Sequence, residues 1–242
     1  MNTETLRHRV LSLFPSENLK TKPLYLRDSV FNINMKALLA TTYFGPVQWY
    51  QKLNRADCAY VECYDSYRKQ TFRNRCVIAT TNGLQALTIP VERPDCGLHS
   101  TLIKDLKISD HGNWRHLHWH ALMSAYSESP FFEYYADDIR PFFEKKWDFL
   151  YDFNQEACHT VCSLLDIHPN IQPTSEYIKK DDLPKDIFDF REAIDPKHPA
   201  VDADFVPRRY YQVFERKIGF QPNLSILDLL FNMGPEGIFY LR

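Results

Sequence analysis

Between Tyr64 and Arg75 the sequence YDSYRKQTFRNR gathers the residue types best able to do chemistry. These are the carboxylate Asp65, the cations Arg68, Lys69, Arg73 and Arg75, and the rings of Tyr64, Tyr67 and Phe72. A guanidinium binds oxyanions through paired N–H donors, so Arg73 and Arg75 suit a bound phosphate or carboxylate. Asp65 can accept a proton, and Lys69 or Asn74 can stabilise negative charge that develops during a reaction. The plain alternative is a solvated strand face whose arginines pair with nearby acids. Rings beside Arg, Asn and Asp also hold sugars, for which Tyr43, Phe44, Trp49, Tyr64, Tyr67 and Phe72 are candidates. With 17 Phe, 14 Tyr and 4 Trp in the chain, most aromatics must nevertheless be core.

These residues need elements to hold them. Asn82-Gly83 lies between two alternating apolar runs and predicts a type I′ hairpin turn. Pairing outward sets Ile78 opposite Leu87, Cys76 opposite Ile89 and Asn74 opposite Val91. Strand alternation then turns Arg73 and Arg75 to the other face, with Val77, Ala86 and Thr88. Upstream, 36–41 reads as a strand, and Pro46 as the first residue of a helix running to about Arg55. CAYVEC (58–63) is a second strand. A βαβ unit of this kind has a right-handed crossover. It brings Thr42-Tyr43-Phe44 beside Tyr64-Asp65, outside the carboxyl ends of the strands, where open α/β sheets bind ligands.

Downstream, LIKDLKIS (102–109) reads as a strand. A helix starts at Asn113 as N-cap and runs to about 127. FFEYYADDI and PFFEKK are short helices separated by Pro141, and 148–167 has the apolar spacing of a long core helix. Residues 169–209 read as irregular. A last helix, capped by Asn223 or Ser225, ends at Gly234. The expected fold class is α/β: a mixed sheet with an N-terminal βαβ unit and a β-hairpin, followed by a helical half. Residues 1–36 form an N-terminal extension, with a short amphipathic helix at about 4–14, and 37–242 a single domain.

His116 and His120 share a helix face as zinc ligands can, but neither the HExxH pattern nor a finger spacing accompanies them, and no metal is expected. His118 points elsewhere and reads as a proton-transfer or hydrogen-bonding residue, or as an ordinary partly buried histidine. Cys158 and Cys162 share a core-facing helical side. The six cysteines show no CxxC pair and fit reduced, buried thiols. Asp228, amid apolar neighbours, braces a structural arginine or belongs to the site. There is no GxGxxG, GxxxxGK[ST] or GxSxG, so no cofactor is named by a motif. A formal net charge of −2 over 242 residues argues against a general nucleic-acid binder. No stretch approaches the length of a membrane span, and the N-terminus lacks a signal peptide's apolar centre, which together point to the cytoplasm. Nothing in the pattern sets an oligomeric state.

The blocks ATTYFGPVQWYQKL, ADCAYVECYDSYRKQTFRNRCVI, NGLQALTIPVE, NWRHLHWHALMSAYSESPFF and YYQVF…GFQPNLSILDLLFNMGPEG, in this order, resemble the WbqC-like proteins of bacteria. The resemblance implies functional roles for Tyr43, Phe44, Asp65, Lys69, Arg73, Asn74, Arg75, Trp114, His118 and Tyr126. Many members carry Tyr-Phe-Pro in the first loop, where this chain has Gly45 before Pro46. Members are similar to proteins of surface-polysaccharide (O-antigen) gene clusters. The implied function is modification of an amino sugar carried on a nucleotide, by acyl or aminoacyl transfer to its amine. On that reading His118, Asp65 and Lys69 are the catalytic residues, and Tyr43, Phe44, Tyr64, Arg73, Asn74, Arg75, Trp114 and Tyr126 bind the substrate. The partner is a sugar nucleotide or another anionic small molecule. The alternative is a non-catalytic binding or accessory protein of the same pathway.

Overall fold

The computed structural model describes residues 35–242 apart from Cys96. The expected helix at 4–14, most of the extension 1–36 and Cys96 therefore lie outside the described residues. A four-stranded, all-parallel sheet of order β5-β2-β1-β6 supports the site. Its centre is β1 (Lys36–Ala40) and β2 (Cys58–Glu62), joined by α1 (Val47–Arg55). Ala37, Leu38 and Leu39 have no exposed surface, as befits a parallel strand covered on both faces. The register Lys36↔Cys58 to Ala40↔Glu62 brings both strands out at one edge. Pro46 is the N-cap of α1 and not its first residue. The Trp49 indole N–H donates to Ala40 O at 2.8 Å and ties helix to strand.

β3 (Arg75–Thr80) and β4 (Gly83–Thr88) form the hairpin. Its faces are as expected but its register is not. Cys76 pairs with Leu87, Ile78 with Gln85 and Arg75 with Thr88, a slide of two residues. The cause is local. The Thr80 hydroxyl accepts from Asn82 N (3.2 Å) and donates to Gly83 O (2.8 Å), so Thr81-Asn82 fills the corner. Gly83 then takes a positive φ of 109° without Asn82 doing so, which a type I′ turn would require. Because the slide is an even number of residues, each side chain keeps its face.

The helical half comprises α2 (Trp114–Tyr126), α3 (Phe132–Ile139), α4 (Pro141–Glu144) and α5 (Leu150–Leu164). The 102–109 segment is a correction. It holds a 3-10 turn at Ile103–Asp105 and isolated bridges to three separate segments, because its apolar residues Ile103, Leu106 and Ile108 each pack inward from a bent chain. The 169–209 segment is another. It supplies both outer strands, β5 (Ile171–Pro173) beside β2 and β6 (Ile187–Asp189) beside β1. Three residues are too few to show a period of two, and Pro173 suits an edge. After α6 (Glu215–Ile218) comes α7 (Ile226–Met233), buried from Ile226 to Asn232. Ser225 caps it through Leu227 N, and Gly234 ends it at φ 54°, where a Cβ would meet the Phe131 ring at 2.6 Å. Among the described residues no helix is long and apolar enough to cross a membrane.

Candidate functional site

The loop leaving β1 is held from several sides. Tyr43 N donates to Phe72 O at 2.9 Å, which joins it to the polar block before β3. Phe44, fully buried, sits at φ 40°, a conformation that a bulky side chain adopts only when its surroundings impose it. Its carbonyl accepts from Ser225 Oγ at 2.7 Å, and Ile226 N donates to Gly45 O at 2.8 Å. Gly45 is required by close approach, since a Cβ there would lie 2.3 Å from Thr42 Oγ1. That Thr42 hydroxyl is buried and has no hydrogen-bond partner.

Beside this loop lies the central ion pair. Arg73 Nη2 donates to Asp65 Oδ2, and the two side chains keep only 5% and 10% of their surface exposed. Burial pushes the Arg73 guanidinium down from its ordinary value; Asp65 counters this, while Arg68 and Arg191 add to it. The Arg73 carbonyl accepts from Asn154 Nδ2 at 2.8 Å, fixing the backbone, but neither Nε nor Nη1 has a partner among the described residues. A crevice runs along this edge, lined by Thr41, Thr42, Trp49, Thr71, Arg73 and Arg191. Arg191 is more fully engaged: Nε and Nη2 bond Asp189, Nη1 bonds Glu62 Oε2 at 3.0 Å, and Nη2 also reaches Ile178 O. Inside its mouth the crevice has room for about one water molecule.

A second chain of contacts starts at Tyr43. Its hydroxyl lies 2.9 Å from His118 Nδ1, and His118 also hydrogen-bonds the Thr88 backbone. Burial drives the His118 pKa down to about 4, so the ring is neutral near pH 7. With the N–H turned to the Thr88 carbonyl, Nδ1 accepts from Tyr43, whose own pKa burial raises well above the usual value. Thr88 closes the chain: its Oγ1 accepts from Arg75 Nε at 3.1 Å. Trp114 packs edge-on to His118 with ring centroids 5.2 Å apart, and its indole donates to Ser109 O. Burial raises the pKa of the Tyr67 hydroxyl, and nearby Asn74, Arg75 and Arg73 counter that rise.

The structure thus links Tyr43, His118, Thr88 and Arg75 in one chain of contacts, with Trp114 against His118, and Arg73 with Asp65 in another. The Tyr43 N to Phe72 O bond joins the two, and of the predicted residues Arg73 lines the crevice. Asn74 is near but occupied, with Nδ2 on Ile89 O at 2.8 Å. Lys69 is exposed. The Tyr64 ring is half-buried under the Lys104 ammonium, 4.4 Å from its centroid. Phe44 packs among Phe142, Phe143 and Phe153. Tyr126 stands apart: two helical turns beyond His118, it donates to Asp228 Oδ2 at 2.8 Å. Asp228 braces no arginine. It accepts from Tyr126, Tyr210 and Gln212, and burial raises its pKa to about 6. Of the six rings considered for sugar stacking, Tyr43, Phe44, Trp49, Tyr67 and Phe72 are buried. His116 and His120 lie with ring centroids 4.0 Å apart, and among the described residues no group of three or more side chains is arranged to hold a metal. The Cys158 and Cys162 thiols are buried, 3.9 Å apart.

Residues 41–201 match the WbqC-like protein family. The chain belongs to that family. A relative in Mycobacterium tuberculosis, the uncharacterized protein Rv1507c, is 29% identical over 196 residues, covering 73% of this chain and 84% of its own length. No solved structure matches the chain. The region matched to the WbqC-like family takes in Thr42, the Arg73–Asp65 pair, His118 and Arg191, and ends before Tyr210 and Asp228.

Sequence reasoning did not single out Thr71 and Arg191, which line the crevice. Thr42 was legible only as part of the first loop, because a threonine side chain carries no signal that it will be left without a partner. Arg191 lies in DFREAIDPKH, a charged stretch with no periodicity to place it at the sheet edge.

Proposed function

We propose that this protein is an enzyme of bacterial surface-polysaccharide (O-antigen) biosynthesis that transfers an acyl or aminoacyl group to the amine of a nucleotide-linked amino sugar. The observation that carries this reading is Arg73: a buried guanidinium with two donor nitrogens unpartnered, beside the unpartnered Thr42 hydroxyl, at the carboxyl edge of a parallel sheet. Arg73 holds an anionic group of the substrate, phosphate or carboxylate. Asp65, whose Oδ1 has no partner among the described residues, takes the proton that the sugar ammonium must lose before its lone pair attacks the acyl carbon. Lys69, on the exposed turn, offsets the negative charge on the tetrahedral intermediate. His118 orients Tyr43 and thereby the first loop.

The test is incubation of purified protein with amino-sugar nucleotides and candidate acyl or aminoacyl donors, read by mass spectrometry. A product heavier by the acyl group, absent with Arg73→Lys, supports the proposal. One observation favours a non-catalytic sugar-nucleotide-binding or accessory protein instead: both His118 ring nitrogens are engaged inside the protein, leaving neither for a substrate proton. Tight binding of an amino-sugar nucleotide, with no turnover under any donor, decides for that second reading.

A further inference from the structure

We infer that residues 197–209 form a strap, latched by Asp202, that opens as a unit on an otherwise intact fold. Opening uncovers the polar side of α1 beside the crevice. This goes beyond the reading of that crevice as a substrate site and does not depend on what the crevice takes.

Over 197–209 the chain has no helix or strand, and every residue is exposed except Asp202 and the partly buried Phe205. Val201 and Val206 keep 97% and 71% of their surface in water. The segment runs between two buried residues, Ile194 before it and Tyr210 after it, whose hydroxyl donates to Asp228. Between them one side chain reaches into the interior. Asp202, with 6% of its side chain exposed, accepts from Lys52 Nζ and from Gln48 Nε2, at 2.9 and 2.8 Å. The other bonds leaving the strap, at Ala200, Asp204, Arg208 and Arg209, lie at the surface. Few buried apolar contacts and solvent-facing hydrogen bonds put a segment at the low end of local stability.

Beneath the strap is a surface that the sequence of α1 would leave in water. Gln48 and Lys52, four residues apart, share one helix face, yet they keep only 5% and 2% of their surface exposed. An amphipathic helix at a protein surface solvates its polar side; here the strap and Asn223 cover it. A buried ammonium is costly unless paired, and among the described residues the carboxylate that pairs with Lys52 is Asp202. Burial pushes the Asp202 carboxyl up, but Lys52 and Gln48 outweigh it and hold it below its ordinary value. The latch is therefore ionic at neutral pH.

The covered face borders the crevice. Trp49 of α1 lines it, and so does Phe190, whose ring centroid lies 4.8 Å from the Lys52 ammonium. Closed, the crevice has room for about one water. Open, the strap presents an ammonium and an amide beside it, on a helix that the Trp49 bond to Ala40 O keeps fixed to β1.

The test is labelling of the full chain with an amine-acetylating reagent, read by peptide mass spectrometry, beside hydrogen exchange. In the wild type Lys52 is expected to label far more slowly than exposed Lys197. Its rate should rise little with urea below the unfolding transition, because opening a strap exposes little surface. A steep rise that tracks exchange in β1 and α5 would mean that Lys52 is reached only by global unfolding, and the strap falls. Asp202→Asn keeps the shape of the side chain and removes its charge. It is expected to speed Lys52 labelling on the order of a hundredfold, the lower end of the effect of unpairing a buried charge. Exchange over 197–209 should accelerate with it while β1 and α5 stay unchanged. Lys52 labelling at the wild-type rate in that variant removes Asp202 as the latch. No ligand enters these readouts, so they are decided whether or not the crevice takes a sugar nucleotide.

Discussion

Arg73 donates its Nη2 to Oδ2 of Asp65, and the bond is made in the interior, not across a solvated strand face. Asp65 follows the end of β2, and Arg73 precedes the start of β3, so the pair clamps the parallel sheet to the hairpin. Taking two charges out of water is costly, and their attraction in a low-dielectric setting offsets that cost only while both remain. The clamp is therefore also a constraint on mutagenesis of the site.

Removing one partner should be far more damaging than removing both. Arg73→Met or Asp65→Leu alone is expected to destabilise by about 3–5 kcal/mol, because each leaves an uncompensated buried charge. The double substitution should recover most of that loss while abolishing anion binding. Urea unfolding of the four proteins gives the interaction energy directly. Additive losses would mean that the two groups are solvated independently.

Tyr43→Phe keeps the ring and deletes only the hydroxyl that His118 Nδ1 accepts from. The cost expected is about 1–3 kcal/mol, that of a buried acceptor left unpaired. The same change should also disturb the loop carrying Thr42. Amide exchange at Thr42 and Phe44 faster than in wild type, with exchange in α5 unaltered, is the expected signature. Wild-type rates at both amides would show that the hydroxyl does not hold the loop.

How much of this was legible beforehand depended on length and on local competition. β1 and β2 are continuous apolar runs bounded by turn signals, so the βαβ unit and the meeting of its two loops at one edge could be read from the sequence. The hairpin's faces were legible too, but its register turned on whether Thr80 would bond its own turn, which alternation does not encode. β5 and β6 are three residues each and have no pattern to detect. Arg73 precedes the first strand residue, Arg75, so period-two reasoning did not apply to it, and burial against Asp65 set its direction. Asp228 reads as an isolated acid because its partners, Tyr126, Tyr210 and Gln212, reach it from other segments.

Two buried groups on α2 and α7 should give opposing pH dependences. The His118 pKa is depressed to about 4 from about 6.5 in the unfolded chain. Its contribution is present above pH 6.5 and is lost as pH falls toward 4. Asp228 is raised to about 6 from about 3.9. Its contribution is complete below about pH 4 and is lost as pH rises through 6. Between pH 4.5 and 6.5 the two slopes offset one another in the wild type. Asp228→Asn should expose the His118 slope, losing on the order of 1–3 kcal/mol more than wild type on acidification across that window. His118→Gln should expose the reverse slope. Denaturant midpoints at pH 4.5 and 6.5 measure both, and parallel changes in all three proteins would contradict the assignment.

Gly45 and Thr42 should behave as one unit. An alanine Cβ at position 45 would sit 2.3 Å from Thr42 Oγ1 and 2.8 Å from Thr42 Cβ, distances that no real pair of atoms keeps. Either the Thr42 side chain turns out of the crevice or the loop shifts against its anchors at Ser225 and Ile226. Gly45→Ala is expected to cost about 1–3 kcal/mol, the usual range for overpacking. Thr42→Ala removes the nearest atom but not the Cβ, so the double substitution should regain part of the stability. A coupling of about 0.5–3 kcal/mol in the double-mutant cycle is the expected result. If the two substitutions add without coupling, the loop relaxes freely around position 45. The close approach would then have no part in fixing the Thr42 side chain.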